Sequence, residues 1–353
     1  MVNGKYGFAV IGYGGMGGFH INQMLEKFGD RAEVIGVYDI DPAKREKADN
    51  KGVHFFNSRE ELLADDRIDL ITIATPNDVH KEIAIACLDA GKNVISEKPV
   101  TLSVADLEEI IAAANRNGKM FTVHQNRRWD EDYLTVKKLY DENTMGKIFR
   151  IEHRVQGSRG IPGDWRNQKE HGGGMVLDWG IHLLDQVLQM TKPYKLVSVY
   201  NELTNVTNEN CDDGFRATLI FENGLSFYVE VTTSNFIELP LWYVLGENGT
   251  AVINNWQFEG EIVEVSDWEN RDAVPIQAGA GITKTMAPRT DDTIKHFPLP
   301  EVHANWSEYY NNIFDTLDGK ANQIVTHDEQ RRLLKLVDAL FESANENKVV
   351  YFE

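Results

Sequence analysis

Cysteine is rare in this chain: only Cys87 and Cys211 occur among 353 residues. They form no CxxC pair, so the sequence predicts neither a disulfide framework nor a zinc ribbon. We therefore expect no structural metal. A chain without disulfides is suited to the reducing cytoplasm.

Basic residues are also in short supply. Lysine and arginine total 36 against 55 aspartates and glutamates, which gives a formal net charge of −19. A surface with this excess of acid repels phosphate backbones and anionic lipid headgroups. We therefore expect neither a nucleic acid nor a membrane surface as a partner.

Long apolar runs are absent as well. No stretch reaches the roughly 20 residues that span a bilayer, and the first residues, MVNGKYGFAVIGYGG, lack the basic start and apolar run of a signal peptide. The chain also lacks the HExxH, GxSxG and P-loop motifs, which leaves metalloprotease, serine hydrolase and nucleoside-triphosphatase chemistry without support. These absences favour a cytoplasmic protein of another class.

The first third of the chain shows a regular alternation of strand and helix patterns. Short apolar runs alternate with segments of helical spacing, and Ser103 is placed to cap one of the helices. The run IDLITIATP is apolar throughout, as expected of a strand buried on both faces. Strands that alternate with helices predict βαβ units and a parallel sheet, here in a first domain at 1–125.

The pattern changes near residue 125, where long alternating strands begin. Two ENG tripeptides, at 222–224 and 247–249, are typical of tight hairpin turns. The stretch 269–300 is rich in proline, glycine and aspartate, and we expect it to run over the surface ahead of two closing helices. About two domains fit a chain of this length, so we predict an α+β second domain at 126–353.

The segment VIGYGGMGGFH carries a complete G-x-G-x-x-G at Gly12, Gly14 and Gly17. It lies between an apolar strand and a helix, which is the context that a dinucleotide-binding loop requires. Gly12 permits the tight turn, Gly14 lets the backbone approach a pyrophosphate, and Gly17 lets the helix pack on the strand. The N-terminus of the helix then offers free N–H groups to the phosphates.

An acid at the end of the second strand indicates the type of dinucleotide. Asp39 follows Gly17 by a little over twenty residues, where a carboxylate can bind both ribose hydroxyls and repel a 2′-phosphate. NAD is therefore favoured over NADP. The alternative is that Asp39 or Asp41 caps a helix beginning at Pro42; we assign that cap to Asp41 and leave Asp39 for the ribose.

The segment NVISEKP places Lys98 at the carboxyl end of a parallel strand. Open α/β sheets bind their ligands at this edge, so a lysine here is a candidate for contact with a cofactor or substrate. The alternative is a surface lysine ahead of a loop that Pro99 turns.

The segment HGGGMVLDWGIHLLDQ sets Asp178 and His182 four residues apart, behind the three glycines Gly172–Gly174. At helical spacing the two side chains share a face, so Asp178 can orient or polarise the histidine. A histidine that titrates near neutral pH suits the handling of a proton, and the glycines would let the backbone run close to a ligand. The alternatives are a helix cap for Asp178 and a buried core histidine for His182.

The glycine loop, TPNDVHKEIAIACLDAGKNVISEKP and GGGMVLDWGIHLLDQ together resemble the glucose–fructose oxidoreductase and inositol dehydrogenase family (Gfo/Idh/MocA). The resemblance covers essentially the whole chain, most strongly to about residue 190. It implies a Rossmann domain followed by a second domain with a large, mostly antiparallel, open-faced sheet. It also implies that Lys98, Asp178 and His182 match the family's catalytic lysine, aspartate and histidine. The segment HQNRRWDEDY is similar to that of members acting on inositols and related sugars.

The expected site residues follow from these motifs and from the resemblance. The expected cofactor contacts lie in the glycine loop and after the next strands: Gly12, Tyr13, Gly14, Gly15, Met16, Gly17, Asp39, Thr75, Asn77, His80, Glu97 and Lys98. The expected substrate contacts lie after the later strands and in the second domain: Lys98, His124, Asn126, Arg127, Trp165, Arg166, Asp178 and His182. The alternatives are a solvated loop for Trp165 and Arg166, a helix cap for Asn77 and an exposed helix face for His80.

The sequence therefore predicts an NAD-dependent oxidoreductase that oxidises or reduces a secondary alcohol of a small polyhydroxylated substrate, such as a sugar, a glycoside or an inositol. One alternative is a redox-neutral NAD-dependent glycosidase, which would carry the same motifs. Another is a non-enzymatic NAD-responsive regulator, which would need no proton relay. We expect a homodimer or homotetramer through the second-domain sheet, since the family pairs there and strands such as LSFYVEVTT and LWYVLG carry apolar residues on both faces.

Overall fold

The first domain is built on a five-stranded parallel sheet. The computed structural model describes residues 2–270 and 274–352. The strands are β1 (Tyr6–Ile11), β2 (Ala32–Tyr38), β3 (Leu70–Ile73), β4 (Asn93–Ser96) and β5 (Phe121–Val123). Their order is β2-β1-β3-β4-β5 and every neighbouring pair is parallel. The predicted Rossmann-type sheet is confirmed.

Helices connect these strands and cover the sheet. They are α1 (Gly15–Lys27), α2 (Lys44–Asn50), α3 (Arg59–Leu63), α4 (His80–Asp89) and α5 (Val104–Asn117). The predicted cap of α5 is confirmed, because the Ser103 hydroxyl accepts a hydrogen bond of 3.1 Å from the Asp106 N–H. Such a cap satisfies one of the free donors at the start of a helix.

The second domain is built on a nine-stranded sheet. Its strands are β6 (Ile148–Gln156), β7 (Leu196–Thr204), β8 (Gly214–Phe221), β9 (Ser226–Thr232), β10 (Trp242–Gly246), β11 (Gly249–Ile253), β12 (Gly260–Val265), β15 (Ile294–Phe297) and β16 (Val350–Tyr351). The order is β15-β12-β11-β10-β6-β9-β8-β7-β16. The pair β6–β9 is parallel and the other pairs are antiparallel. Both predicted ENG turns join antiparallel neighbours, β8 to β9 and β10 to β11.

Helices cover one face of this sheet, and the side chains between the helices and the sheet form the hydrophobic core of the second domain. These helices are α6 (Glu131–Glu142), α7 (Ile181–Met190) and α9 (His327–Glu346). Inward side chains of the central strands, such as Phe227 and Trp242, are fully buried under them. The sheet and α7 therefore hold the segment that carries Asp178 and His182.

The opposite face of the sheet carries ion pairs between neighbouring strands. Glu152 accepts hydrogen bonds from Arg150 and Arg154, and Glu230 lies 3.3 Å from Arg154 and 3.5 Å from Arg216. The expectation that these strands carry apolar residues on both faces holds for β10, where Tyr243 and Leu245 are half-exposed opposite buried Trp242 and Val244. In β9 the half-exposed residues are mostly polar, with Tyr228 as the exception. Assembly through this face stays a prediction.

One helix near the C-terminus packs on the first domain. Helix α8 (Ser307–Leu317) buries Tyr309, Tyr310 and Phe314 in the core of the first sheet. The strands on either side of residue 125 belong to different sheets, but α8 packs against the sheet of the first domain. The domain boundary at 125/126 therefore stays a prediction.

The predicted surface excursion at 269–300 contains short strands. Residues 271–273 of this stretch lie outside the described residues. The hairpin β13 (Ile276–Ala278) and β14 (Gly281–Thr283) is exposed, and β15 then extends the edge of the large sheet. Within 2–270 and 274–352, no helix is long and apolar enough to cross a membrane.

Candidate active site

The glycine loop forms one end of a long cleft. Gly12 follows β1 with φ +92°, a conformation that glycine adopts at little steric cost. A Cβ on Gly17 would lie 2.0 Å from the Gly12 carbonyl oxygen, so α1 can pack this close to β1 only with a glycine there. By contrast, a Cβ on Gly14 or Gly15 would meet no described atom within 4 Å. The loop therefore presents open backbone, at the start of a helix, to a phosphate-sized group.

Asp39 lies at the same end of the cleft, just beyond β2. One of its carboxylate oxygens accepts the Tyr13 N–H at 2.6 Å and the other accepts the Asp41 N–H at 2.8 Å. These bonds fix the carboxylate beside the glycine loop, where an adenosine ribose would lie. The residues at this end thus fit the diphosphate and ribose of a dinucleotide.

Asp41 was predicted to cap a helix that begins at Pro42, but the structure places the start of the helix later in the chain. Asp41 accepts the Ala43 N–H at 3.0 Å, and α2 begins at Lys44 rather than at Pro42. The aspartate therefore closes the turn ahead of the helix. Lys44 lines the cleft near Asp39, whereas the Arg45 guanidinium stacks over the Phe55 ring at 4.7 Å.

The cleft has a volume of about 1,200 Å³ and runs from Asp39 to His182. It follows the carboxyl ends of the parallel strands, the edge where open α/β sheets bind ligands. Most of the predicted site residues lie in its wall: Gly12, Gly14, Gly15, Met16, Asp39, Thr75, Asn77, Glu97, Lys98, Asn126, Arg127, Trp165, Arg166, Asp178 and His182.

Four predicted contact residues are instead buried and lie outside this wall: Tyr13, Gly17, His80 and His124. Gly17 packs α1 against β1. Tyr13 is 0% exposed, its N–H is used by Asp39, and its ring is covered by the Lys47 ammonium at 4.4 Å. His80 is also 0% exposed, and its ring nitrogens lie 3.0 Å and 2.9 Å from the carbonyl oxygens of Thr75 and Pro99. The predictions of cofactor contact for Tyr13 and His80 were wrong, because both are enclosed by protein. The alternative of an exposed helix face for His80 was wrong as well, because the ring is buried between the segments that carry Thr75 and Pro99.

His124 was predicted to contact the substrate, and the structure corrects this as well. The residue is 1% exposed, and its Nδ1 lies 2.8 Å from a Glu97 carboxylate oxygen. The same oxygen lies 2.8 Å from His20 Nε2, and His20 Nδ1 bonds to the Tyr310 hydroxyl. Burial would raise the pKa of Glu97, but the two histidines reverse the effect and hold that pKa well below its usual value. Glu97 is thus a buried anion beside Lys98.

These three residues also come close enough to share a metal ion. The ligand atoms of His20, Glu97 and His124 lie within 4.8 Å of one another. The same atoms already form the hydrogen bonds between the carboxylate and the two rings. The cluster therefore satisfies its own polar groups without an ion.

Lys98 connects the two domains at the far end of the cleft. Its Nζ donates hydrogen bonds of 2.9 Å to the Asp178 carboxylate and 2.9 Å to the Asp178 carbonyl oxygen. Burial would raise the pKa of Asp178, but the Lys98 ammonium and the nearby Arg166 guanidinium hold it below its usual value. The Asp178 carboxyl is therefore ionised at neutral pH. The Lys98–Pro99 peptide is cis.

The segment that carries Asp178 is a π-helical turn, Val176–Gly180, which continues directly into α7. The wider turn of a π-helix shifts positions four residues apart out of line. Asp178 accordingly faces Lys98 and Arg166, and no hydrogen bond between Asp178 and His182 occurs among the described contacts. The prediction that Asp178 orients the histidine was wrong, and so was the helix cap offered as its alternative.

His182 lies in the wall of the cleft with 8% of its surface exposed. Its Nδ1 has no hydrogen-bond partner within the described part of the chain. Burial lowers the pKa of His182 well below its usual value of 6.5, and the charges of Lys98 and Arg127 lower it further. The ring is therefore neutral at neutral pH, as a proton acceptor must be.

The three glycines before this turn pack against protein atoms. A Cβ on Gly173 would lie 2.3 Å from the Arg166 carbonyl oxygen, and one on Gly174 would lie 2.2 Å from the Asp212 carboxylate. The expected close approach is therefore to protein rather than to a ligand. Asp212, which the sequence did not single out, accepts the Val176 N–H at 2.8 Å and fixes the start of the π-helical turn.

Comparison with known proteins assigns the family. The sequence model of an oxidoreductase family with an NAD-binding Rossmann fold matches residues 6–125. The sequence model of the GFO/IDH/MocA C-terminal domain matches residues 133–252. The uncharacterized oxidoreductase YdgJ of Escherichia coli is 30% identical, over 95% of this chain and 95% of the relative. The chain belongs to the GFO/IDH/MocA oxidoreductase family.

Two further relatives align over nearly their full length. The scyllo-inositol 2-dehydrogenase (NADP(+)) IolW of Bacillus subtilis is 25% identical, over 98% of this chain and 95% of the relative. The crystal structure of an NAD-binding protein from Listeria innocua is 45% identical with a TM-score of 0.93, and the alignment covers 99% of each chain. Both domains of this oxidoreductase are thus shared with proteins of the family.

A second cavity of about 580 Å³ adjoins the cleft of this GFO/IDH/MocA oxidoreductase beyond Lys98 and His182. We call it the extension pocket. It shares four wall residues with the cleft: Arg127, Arg166, Asp178 and Trp179. The remainder of its wall comes from the second domain and includes acidic and aromatic side chains: Asp130, Glu131, Asp132, Trp256, Phe258 and Trp306.

Asp130 is an acid of the extension pocket that two neighbouring side chains hold in place. Its two carboxylate oxygens accept hydrogen bonds from Arg127 at 3.0 Å and from the Trp306 indole at 3.1 Å. Burial raises its pKa to about 6, against the opposing effect of Arg127. Neither Asp130 nor Trp256 was predicted as a site residue. The sequence signal for Asp130 was the segment HQNRRWDEDY, whereas Trp256 lies in a turn with no motif around it.

The other arginine after β5 belongs to the core. Arg128 donates two hydrogen bonds, of 2.7 Å and 2.6 Å, to Asp185 and a third to Glu329 at 3.0 Å. All three side chains are largely enclosed by protein. Arg128 therefore lies outside the walls of both cavities, and its buried guanidinium has these carboxylates as its partners.

Proposed function

We propose that this chain is an NAD-dependent dehydrogenase that acts on a secondary alcohol of a sugar, glycoside or cyclitol. One observation carries the proposal. Lys98 and His182 line one end of the cleft, and the glycine loop and Asp39 line its other end. A neutral histidine and a charged lysine are the groups that the oxidation of an alcohol requires from the protein.

The preference for NAD rests on Asp39. Its carboxylate is held beside the glycine loop, where it would accept hydrogen bonds from ribose hydroxyls and repel a 2′-phosphate. The relative IolW is named for NADP, and Lys44 of this chain also lines the cleft. We nevertheless expect Asp39 to decide the preference, because its position is fixed by two backbone hydrogen bonds.

The chemical roles follow from the charges around the reacting alcohol. The nicotinamide, when bound, accepts the hydride, so the protein must remove the hydroxyl proton. The neutral ring of His182 takes that proton, and the Lys98 ammonium stabilises the negative charge that develops on the oxygen. Asp178 holds Lys98 in place through its 2.9 Å hydrogen bond. In the reverse direction the histidine returns the proton.

The proposed substrate is neutral and rich in hydroxyl groups. Arg127 and Arg166 line the junction of the cleft and the extension pocket, and Asn126 lines the cleft. All three side chains can hydrogen-bond hydroxyls. The Trp165 ring lines the cleft with the Arg166 guanidinium 4.6 Å from its centroid. The two arginines face the acids Asp130 and Asp178, which leaves little free positive charge for a phosphate.

The remaining parts of the proposal concern assembly and location. We propose a homodimer or homotetramer through the large sheet, and a cytoplasmic location. The latter is supported by Cys87 and Cys211, which are both unpaired and buried.

The test is a steady-state assay of the purified protein with NAD or NADP and a panel of inositols, aldoses and glycosides. The expected result is formation of reduced nicotinamide with at least one of these alcohols, and a higher kcat/KM with NAD. Turnover that needs no added NAD would instead support the redox-neutral glycosidase, and an absence of turnover with every alcohol would contradict the proposal.

A further inference from the structure

The extension pocket is larger than the reacting ring requires. Its volume of about 580 Å³ lies on the far side of the four residues that it shares with the cleft. Pockets of roughly 300–1,000 Å³ hold whole drug-sized ligands, so this volume alone suits a further ring. Lys98 and His182 lie in the cleft and not in the wall of the extension pocket. A ring in the extension pocket would therefore be bound but would not react.

Two exposed tryptophans line this space. Trp256 is 53% exposed and Trp306 is 50% exposed, although both belong to the wall of a concave site. Trp256 packs beside Trp179 with ring centroids 5.9 Å apart, and Trp306 is oriented by its hydrogen bond to Asp130. Rings that are anchored in this way yet open to the cavity offer apolar surface to a ligand.

The charges of the extension pocket restrict the kind of ligand. Among the described residues, its wall carries two basic ones, Arg127 and Arg166, and four acidic ones, at 130, 131, 132 and 178. Arg127 is paired with Asp130 at 3.0 Å, and Arg166 pairs with Asp164 at 2.8 Å. An anionic group such as a phosphate, a nucleoside diphosphate or a carboxylate would meet an excess of negative charge.

We propose that the extension pocket binds an uncharged second ring of the substrate, packed on Trp256, so that a glycoside is preferred to the free monosaccharide. This inference rests on the proposed function and narrows its substrate class. The reacting ring lies at the junction near Lys98, and its glycosidic substituent extends past Trp179 into the pocket.

The test compares matched substrates with matched tryptophan variants. Glucose and galactose are assayed with NAD against their phenyl β-glycosides and against cellobiose and lactose. We expect kcat/KM to be about tenfold higher for the two-ring substrates, as one aromatic packing contact provides roughly two- to tenfold. Trp256→Ala should lower kcat/KM for the two-ring substrates roughly five- to tenfold more than for the free hexoses.

Trp268→Ala is the matched control, because Trp268 is also 45% exposed but is not part of either cavity wall. It should leave the preference unchanged. Thermal melts and NAD titrations of both variants verify that they are folded and bind the cofactor. Three results would overturn the inference and leave the proposed dehydrogenase function standing. They are equal oxidation of free hexoses and glycosides, a preference for a nucleotide sugar over both, and an equal loss on all substrates in Trp256→Ala. If no compound of the panel is oxidised, the proposed function and this inference are both refuted.

Discussion

Lys98 and Asp178 are 80 residues apart in the chain, and a hydrogen bond of 2.9 Å joins the ammonium of one to the carboxylate of the other. Lys98 follows β4 of the parallel sheet, and Asp178 lies in the π-helical turn of the second domain. The bond thus spans the two domains at the point where the cleft meets the extension pocket. It fixes the charge of Lys98 in the place where an alkoxide would develop.

Asp178→Asn tests this positioning role. The asparagine keeps the shape but loses the charge, and hydrogen bonds to charged groups contribute about 1.5–3 kcal/mol. We expect kcat to fall on the order of 10- to 100-fold, less than for removal of Lys98, while the Kd for NAD stays close to that of the wild type. Steady-state rates and an NAD titration measure the two quantities. A loss that appears in NAD affinity with kcat unchanged would show that Asp178 acts on the cofactor and not through Lys98.

The pH dependence of turnover reports on His182. Its pKa lies well below 6.5 through burial and the charges of Lys98 and Arg127, so the ring becomes protonated only in acid. In the oxidative direction the protonated ring cannot accept a proton. We therefore expect kcat/KM to be independent of pH between about 6.5 and 8 and to fall only well below 6.5. A fall that begins at or above pH 6.5 would contradict the assignment.

The cofactor preference is tested at Asp39. Asp39→Ala removes the carboxylate that would repel a 2′-phosphate, so the ratio of kcat/KM for NAD to that for NADP should shrink. Asp49→Ala is the control, since Asp49 is an exposed acid of α2 that lies outside the cleft wall and should leave the ratio unchanged. A wild-type protein that prefers NADP would refute the role given to Asp39.

Association through the large sheet is tested by light scattering at micromolar concentration. We expect a dimer or tetramer, and a larger monomer fraction in Glu230→Arg, because Glu230 lies between Arg154 and Arg216 on the exposed face. Glu26→Arg makes the same change of charge on the exposed surface of α1 and should have no effect. A wild-type monomer under these conditions is the contrary result.

Much of the first domain could be predicted from local sequence. Gly12 and Gly17 have the roles that their spacing predicts, and Ser103 caps α5 as expected. Periodicity and helix caps depend on neighbours in the chain, so a sequence is enough to recognise them. The same is true of Lys98, since the end of a parallel strand faces the ligand edge in any sheet of this type.

The details of the site depend on contacts that sequence spacing does not reveal. Asp178 and His182 are separated by a helical interval, but the π-helical turn directs the aspartate to Lys98. His80 and His124 look like available polar residues, yet other elements enclose them. Trp256 reaches the extension pocket only because β11 and β12 bring its turn beside Trp179.

The measurement that tests the central claim most directly is the rate of NAD reduction by Lys98→Ala and His182→Ala at saturating alcohol. General acid–base groups contribute about 10²–10⁴-fold, so each variant should lose that much in kcat, and the double variant should lose less than the product. His303→Ala, an exposed histidine of the second domain, should turn over at the wild-type rate. NAD titrations should give an unchanged Kd throughout. If His182→Ala retains near-normal turnover with normal NAD affinity, the histidine is a buried core residue and the proposed proton transfer is wrong.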